Sequence, residues 1–128
     1  MTVYLDTNIL IYLLEGHAEY SERIADTLDT FRAEGCAFAT SVMTLTEFLA
    51  GSSAADVRPL QQLPRLTVVP VDEAIALRAG MLQHESTLRI GDAVHVATAE
   101  AVQAEVFYSN DRELLKKLPG TLRPKGVL

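Results

Sequence analysis

Short β-rich runs alternate with longer helical patterns along this chain, and that alternation constrains its fold more than any other feature. Thr2-Val-Tyr-Leu5, Cys36-Ala-Phe-Ala-Thr40, Leu66-Thr-Val-Val69 and Val106-Phe-Tyr-Ser109 are short apolar runs that read as buried strands. Leu122 to Leu128 is a weaker fifth run, because Pro124 and Gly126 interrupt it. Between them lie helical patterns. Asn8 to Leu14 ends near Gly16, and Ala18 to Glu34 carries Ile24, Leu28 and Phe31 at helical spacing before Gly35. Ser41 is placed to cap a helix over Val42 to Ala50, with Gly51 just after it. Ala54 to Leu63 is a weaker pattern, since Pro59 falls inside it unless the helix starts there. Asp72 caps a helix through Leu82 or beyond, Gly91 and Asp92 open another through Ala104, and Asp111 to Leu118 is short. Strands separated by helices predict a three-layer α/β domain, with a central, mostly parallel sheet of four or five strands flanked by helices.

The chain of 128 residues reads as one domain over 1–128. Hydrophobic residues at 48% against 22% charged exclude intrinsic disorder. The lone Cys36 excludes a disulfide-stapled module. The first residues lack the basic region of a signal peptide, and Asp6 and Asn8 interrupt their apolar run. No run approaches the ~20 apolar residues of a membrane span. A cytoplasmic protein with no membrane partner is expected. The net charge of −6 argues against nonspecific clinging to nucleic acid. Its distribution weakens that inference. The whole excess lies in residues 1–64, where nine acids face only Arg23, Arg32 and Arg58, whereas residues 112–128 hold Arg112, Lys116, Lys117, Arg123 and Lys125 against Glu113 alone.

In parallel α/β sheets, sites form beyond the carboxyl ends of the strands. The segments there are Asp6-Thr-Asn8, Ser41 to Glu47 and Ser109-Asn-Asp111, and each carries acid or hydroxyl groups. Taken singly, Asp6, Asp92 and Asp111 read as helix caps or first-turn acids, and Glu47 as an ordinary solvent-facing residue. Asn8 can itself cap the helix after Asp6. His95, three residues after Asp92 and on the same helix face, reads as a packed core residue rather than a ligand. Tyr4 and Phe107 also read as core. Jointly, the four acids share one placement, at strand exits or at the starts of buried helices. Each close pair of carboxylates costs ~1 kcal/mol in water and roughly 4 kcal/mol at an effective dielectric of 20. Such a cluster needs raised pKa values or bound cations. All-oxygen donors select hard ions such as Mg²⁺ or Mn²⁺, and His17, His84, His95 and Cys36 have no zinc spacing. One or two such ions on carboxylates are a common apparatus for phosphodiester hydrolysis.

Four motifs in order, Tyr4-Leu-Asp-Thr-Asn-Ile-Leu10, Thr40 to Gly51, Ile90-Gly-Asp-Ala-Val-His-Val-Ala-Thr-Ala99 and Tyr108-Ser-Asn-Asp-Arg112, resemble those of PIN-domain nucleases. The compact length resembles VapC-like toxins of prokaryotic type II toxin–antitoxin pairs. The resemblance implies a PIN-like fold in which Asp6, Glu47, Asp92 and Asp111 form the catalytic, metal-holding quartet. It implies that Asn8 and Ser109 support the first and last acids. It also implies a ribonuclease acting on single-stranded or looped RNA, a homodimer, and a small antitoxin that plugs the acidic groove. Arg112, Lys116 and Lys117 are the candidate RNA contacts.

Other readings fit less well. A dehalogenase-type phosphatase needs a second Asp two residues after the first, where this chain has Asn8. A response-regulator receiver needs paired acids after the first strand and a phosphoacceptor after the third, which here ends at Pro70. P-loop and nucleophile-elbow motifs are absent. The non-catalytic alternative is a PIN-like binding or dimerisation module with a silent site.

Overall fold

The computed structural model describes residues 1–53 and 55–128. The elements follow in the order β1 (Thr2–Leu5), α1 (Thr7–Leu14), α2 (Ser21–Ala33), β2 (Ala37–Ser41), α3 (Met43–Gly51) and α4 (Arg58–Gln61). Then come β3 (Leu66–Val69), α5 (Glu73–Glu85), α6 (Ile90–Ala101), β4 (Val106–Tyr108), α7 (Arg112–Lys116) and β5 (Arg123–Lys125). The sheet order is β3-β2-β1-β4-β5, and every pairing is parallel.

The period-2 alternation of β1 divides the core. Val3 and Leu5 point to one face, with Phe38, Val106 and Tyr108, and are covered by Ile9, Leu10, Ile24, Leu28, Phe48 and Leu60 from α1 to α4. Tyr4, Ala39 and Phe107 point to the other face, under Ile75, Ala79 and Leu82 of α5 and Ala93, Val96 and Ala97 of α6. Helices on both faces give the three layers that the alternation predicts. Phe107 is fully buried and stacks on Tyr4 with ring centroids 5.1 Å apart. Phe107→Ala should cost about 3–5 kcal/mol in a urea unfolding titration; a loss under about 1 kcal/mol would contradict this packing.

The chain starts in the middle of the sheet. It moves outward from β1 through β2 to β3, then returns across the other face to place β4 on the opposite side of β1. The reversal makes the β1–β4 boundary a topological switch point, where α/β folds open a crevice beyond the strand ends.

Several element boundaries differ from the sequence pattern. Residues 18–20 form a turn rather than the start of α2, held by His17 Nδ1 accepting from the backbone N–H of Glu19 and Tyr20. β2 runs through Ser41, whose Oγ accepts from the Met43 N–H, so α3 starts one residue later than expected. Gly51 is the last residue of α3 rather than the first beyond it. Of the weak pattern at 54–63, only Arg58–Gln61 is helical, with Pro59 in the first turn where it needs no N–H; its first residue, Ala54, lies outside the described residues. α6 stops at Ala101, and Gln103 turns the chain with φ +56°. β5 is confined to Arg123–Lys125, on the sheet edge where Pro124 is tolerated.

Candidate active site

Asp6 leaves β1 at the switch point. Its backbone N–H donates to the Tyr108 carbonyl at 3.0 Å, and the Ser109 N–H donates to the Lys125 carbonyl at 3.0 Å. The sheet ladder thus continues one residue past the strands and fixes both loop starts. Asp6 has extended backbone angles and caps α1, its Oδ1 accepting from the Thr7 N–H at 2.9 Å. The capping role that the sequence allows Asn8 therefore falls to Asp6. Asn8 sits in the first turn and ties the two loops together. Its Oδ1 accepts from the Asn110 N–H at 3.0 Å, and its Nδ2 donates to Ser109 Oγ at 3.2 Å and Asp6 Oδ2 at 3.3 Å. Ser109 Oγ donates to Asp6 Oδ2 at 2.7 Å and accepts from the Asp111 N–H at 3.0 Å. Asp111 caps α7 through the Leu114 N–H. A buried serine and one asparagine thus lock the first acid to the loop that carries the last.

Asp92 stands in the first turn of α6, after Arg89 at the N-cap. Burial pushes its carboxyl above the usual carboxylate range, and the charges of Asp6 and Asp111 push it further. Asp92 therefore lies within the field of both other aspartates. Asp92 and Asp111 also line one cleft of about 200 Å³, together with Arg89 and Lys117. Arg112 and Lys116 do not face that cleft. They line a neighbouring pocket of about 300 Å³ with Ser109, Asn110 and the segment Gly126 to Leu128. The three candidate RNA contacts are divided between two faces of α7.

Glu47 comes from α3, across the sheet end from α6. A Cβ at Gly91 would lie 3.5 Å from Glu47 Oε2, which puts that oxygen beside the first turn of α6. Glu47 Oε1 accepts from Thr7 Oγ1 at 2.8 Å and meets His95 Nε2 at 2.5 Å. Burial would raise the Glu47 pKa, but the hydrogen bond and charge of His95, with Thr7, bring it below the usual value. His95 is 1% exposed and is pulled the other way. Burial opposes its charge, while the Glu47 hydrogen bond and the field of Asp6 raise its pKa overall.

His95 is a core residue, as the sequence reads, but also a partner of the quartet, which the sequence does not reveal. Its Nε2 lies 3.8 Å from Asp6 Oδ1 as well. Behind it, the Tyr4 hydroxyl meets Nδ1 at 2.6 Å. Thr7, Thr40 and Thr44 complete a buried hydroxyl cluster, with Thr40 Oγ1 donating to the Leu5 carbonyl at 2.8 Å. The i,i+3 spacing of Asp92 and His95 was the signal for the histidine; nothing local marks Tyr4 or the threonines.

The donor set is anionic and all-oxygen, which suits a hard divalent cation. Among the described residues, Asp92 and Asp111 are in no ion pair, and Asp6 and Glu47 meet only His95. The fields of His95 and Arg89 ease the repulsion at Asp92 only in part, and neither side chain pairs with it. As placed, no three of the described His, Cys, Asp or Glu side chains are close enough together to count as a metal cluster. The chemistry of the donors fits the ion.

The fold and the site together define a parallel α/β domain with an acidic centre beyond the carboxyl edge of its sheet. The chain belongs to the PIN domain family, whose model matches residues 3–120. No curated protein matches it significantly. Among solved structures, the chain is similar to one in VapBC2 of Rickettsia felis bound to a promoter DNA fragment, at 20% identity, covering 98% of each chain with a TM-score of 0.77. It is similar to a chain of DNA-bound VapBC from Salmonella typhimurium, at 22% identity over 100% of this chain and 99% of that one, TM-score 0.74. A chain of FitAcB from Neisseria gonorrhoeae matches at 20% identity over 98% and 97%, TM-score 0.71. No helix among the described residues is long and apolar enough to cross a membrane.

Proposed function

We propose that this chain is a divalent-metal-dependent endoribonuclease that hydrolyses RNA phosphodiester bonds as the toxin of a toxin–antitoxin pair. The observation that carries the reading is the field at Asp92, where burial, Asp6 and Asp111 all oppose a charge that the fields of His95 and Arg89 offset only in part. Membership of the PIN family and the likeness to chains of VapBC and FitAcB support it. Asp6, Glu47 and Asp92 would hold Mg²⁺ or Mn²⁺, with Asp111 supporting that ion or a second one. When bound, the ion polarises the phosphoryl group and makes water a competent nucleophile at neutral pH. The protein's part is placement. Ser109 and Asn8 hold Asp6 rigid, and the first turn of α6 carries Asp92. In-line displacement at phosphorus releases the 3′ oxygen, so the products carry 5′-phosphate and 3′-hydroxyl ends. A homodimer, a small antitoxin covering the acidic groove and a cytoplasmic site of action belong to the same reading. Induced expression should arrest growth, and co-expression of the upstream neighbour should relieve the arrest; unimpeded growth with the protein accumulating would contradict the toxin assignment.

Lys117, on the cleft with Asp92 and Asp111, is the best placed of the three candidate RNA contacts to meet a phosphate. Lys116 is already paired with Glu113 at 3.2 Å. Lys117→Glu should lower cleavage about ten-fold and reduce the salt slope by roughly one contact, with Lys116→Glu affecting it less. Unchanged cleavage and salt dependence in both variants would remove them from the RNA path.

A further inference from the structure

We infer that His95 is a positioning residue for Glu47: its imidazole, fixed from behind by the Tyr4 hydroxyl, anchors one carboxylate oxygen of Glu47 so that the other faces the acidic centre. This rests on the reading of Glu47 as a metal ligand.

Hydrogen accounting supports the assignment. Thr40 Oγ1 donates to the Leu5 carbonyl, so the 2.7 Å contact between Thr40 and Thr44 uses the Thr44 proton. The Thr7 proton goes to Glu47 Oε1 at 2.8 Å. The ionised Glu47 carboxylate can only accept, so His95 carries a hydrogen on Nε2, and in the neutral ring Nδ1 then accepts from the Tyr4 hydroxyl at 2.6 Å. Nε2 then donates to Glu47 Oε1 at 2.5 Å. A doubly protonated ring would donate to Glu47 in the same way. Oε1 is thus held by two donors from two elements, α1 and α6. Oε2 has no hydrogen bond from a described residue and lies beside Gly91, one residue before Asp92.

Tyr4 and His95 are 0% and 1% exposed, while the Glu47 side chain is 40% exposed. A half-exposed Glu on a helix ordinarily samples several rotamers. Here a buried ring selects one. Residues that orient a ligand in this way commonly contribute 10–100-fold to metal affinity.

The test is Mn²⁺ binding by titration calorimetry, combined with thermal unfolding, on the full chain. Asn in place of His95 puts its amide near the Nδ1 position, so it keeps Tyr4 but falls short of Glu47. Gln reaches toward the Nε2 position. His95→Asn should raise the Mn²⁺ Kd at least 10-fold, and His95→Gln should recover most of that loss. In a Glu47→Gln background, His95→Asn should change the Kd by less than about two-fold. Should His95→Asn lose cooperative unfolding, Tyr4→Phe carries the test, with a several-fold rise in Kd that vanishes in the Glu47→Gln background. If the wild type binds Mn²⁺ and the expected variants leave Kd unchanged, or their effects add to that of Glu47→Gln, the positioning role is wrong while the metal site stands. If the wild type binds no Mn²⁺ at millimolar concentration, both fall.

Discussion

Replacing Asp6 with Asn should abolish RNA cleavage, lowering the rate at least about 10³-fold while the protein stays folded. Loss of one anchoring carboxylate removes several kcal/mol of charge stabilisation at phosphorus, and ~4 kcal/mol is about three decades in rate. The variant also carries a structural cost. Oδ1 can keep the Thr7 N–H, but an amide NH₂ in the Oδ2 position faces two donors, Ser109 Oγ–H and Asn8 Nδ2. The serine must turn away and its hydrogen bond to the first acid is lost, so a destabilisation of about 1–2 kcal/mol is expected. Rate measurements on labelled RNA, paired with urea unfolding, separate the two effects. Near-normal cleavage by the folded variant would remove Asp6 from the reaction.

Asp92→Asn should likewise abolish cleavage but move stability the other way. Burial and the charges of Asp6 and Asp111 oppose its ionised form in the native protein. Its folded pKa is therefore above the ordinary value of 3.8, and ionisation costs stability at pH 7. Removing the charge should stabilise the ion-free protein by about 0.5 kcal/mol, the scale of a partly exposed charge interaction. The sign is checked by pH. The gain is present above the raised folded pKa, fades as pH falls through it, and vanishes below 3.8, where both states protonate the wild-type residue. Saturating Mn²⁺ inverts the order, because ligand at 100 times Kd adds about 2.7 kcal/mol to a protein that binds it. Wild type should gain that increment and Asp92→Asn should gain little. Thermal unfolding with and without Mn²⁺ at pH 7 and near pH 4 reads all of this. A variant less stable than wild type in the absence of metal would mean that Asp92 serves the fold as a first-turn acid and is not strained there.

The contrast between these two aspartates shows what was legible in the chain. The β-rich runs and their alternation with helices are local patterns, and they gave the parallel sheet and the position of its carboxyl edge. Asp6 and Asp111 were visible because each follows a strand, and Asp92 because it opens an apolar helix. The link from Asp6 to Ser109 spans 103 residues; the family resemblance implies its two ends, and the pairing of β1 with β4 joins them. Glu47 was harder to read, since its half-buried side chain sits beside an apolar stripe that explains it equally well as surface. His95 is legible only in part. Its apolar neighbours correctly signalled burial, but its partners Tyr4 and Glu47 lie 91 and 48 residues away on different layers. No periodicity carries such pairings. Helix limits were lost for local reasons. A histidine-capped turn replaced the first residues expected of α2, and a left-handed Gln103 ended α6 early.

Hydrolysis of RNA at the acidic centre, as proposed, requires a divalent ion. It is tested most directly by the ends of the RNA fragments produced with and without chelator. With Mg²⁺ or Mn²⁺ present, the wild-type protein should yield fragments with 5′-phosphate and 3′-hydroxyl ends. EDTA should stop the reaction, and added metal should restore it. Cleavage that persists in EDTA, or fragments ending in 2′,3′-cyclic phosphate, would contradict the account.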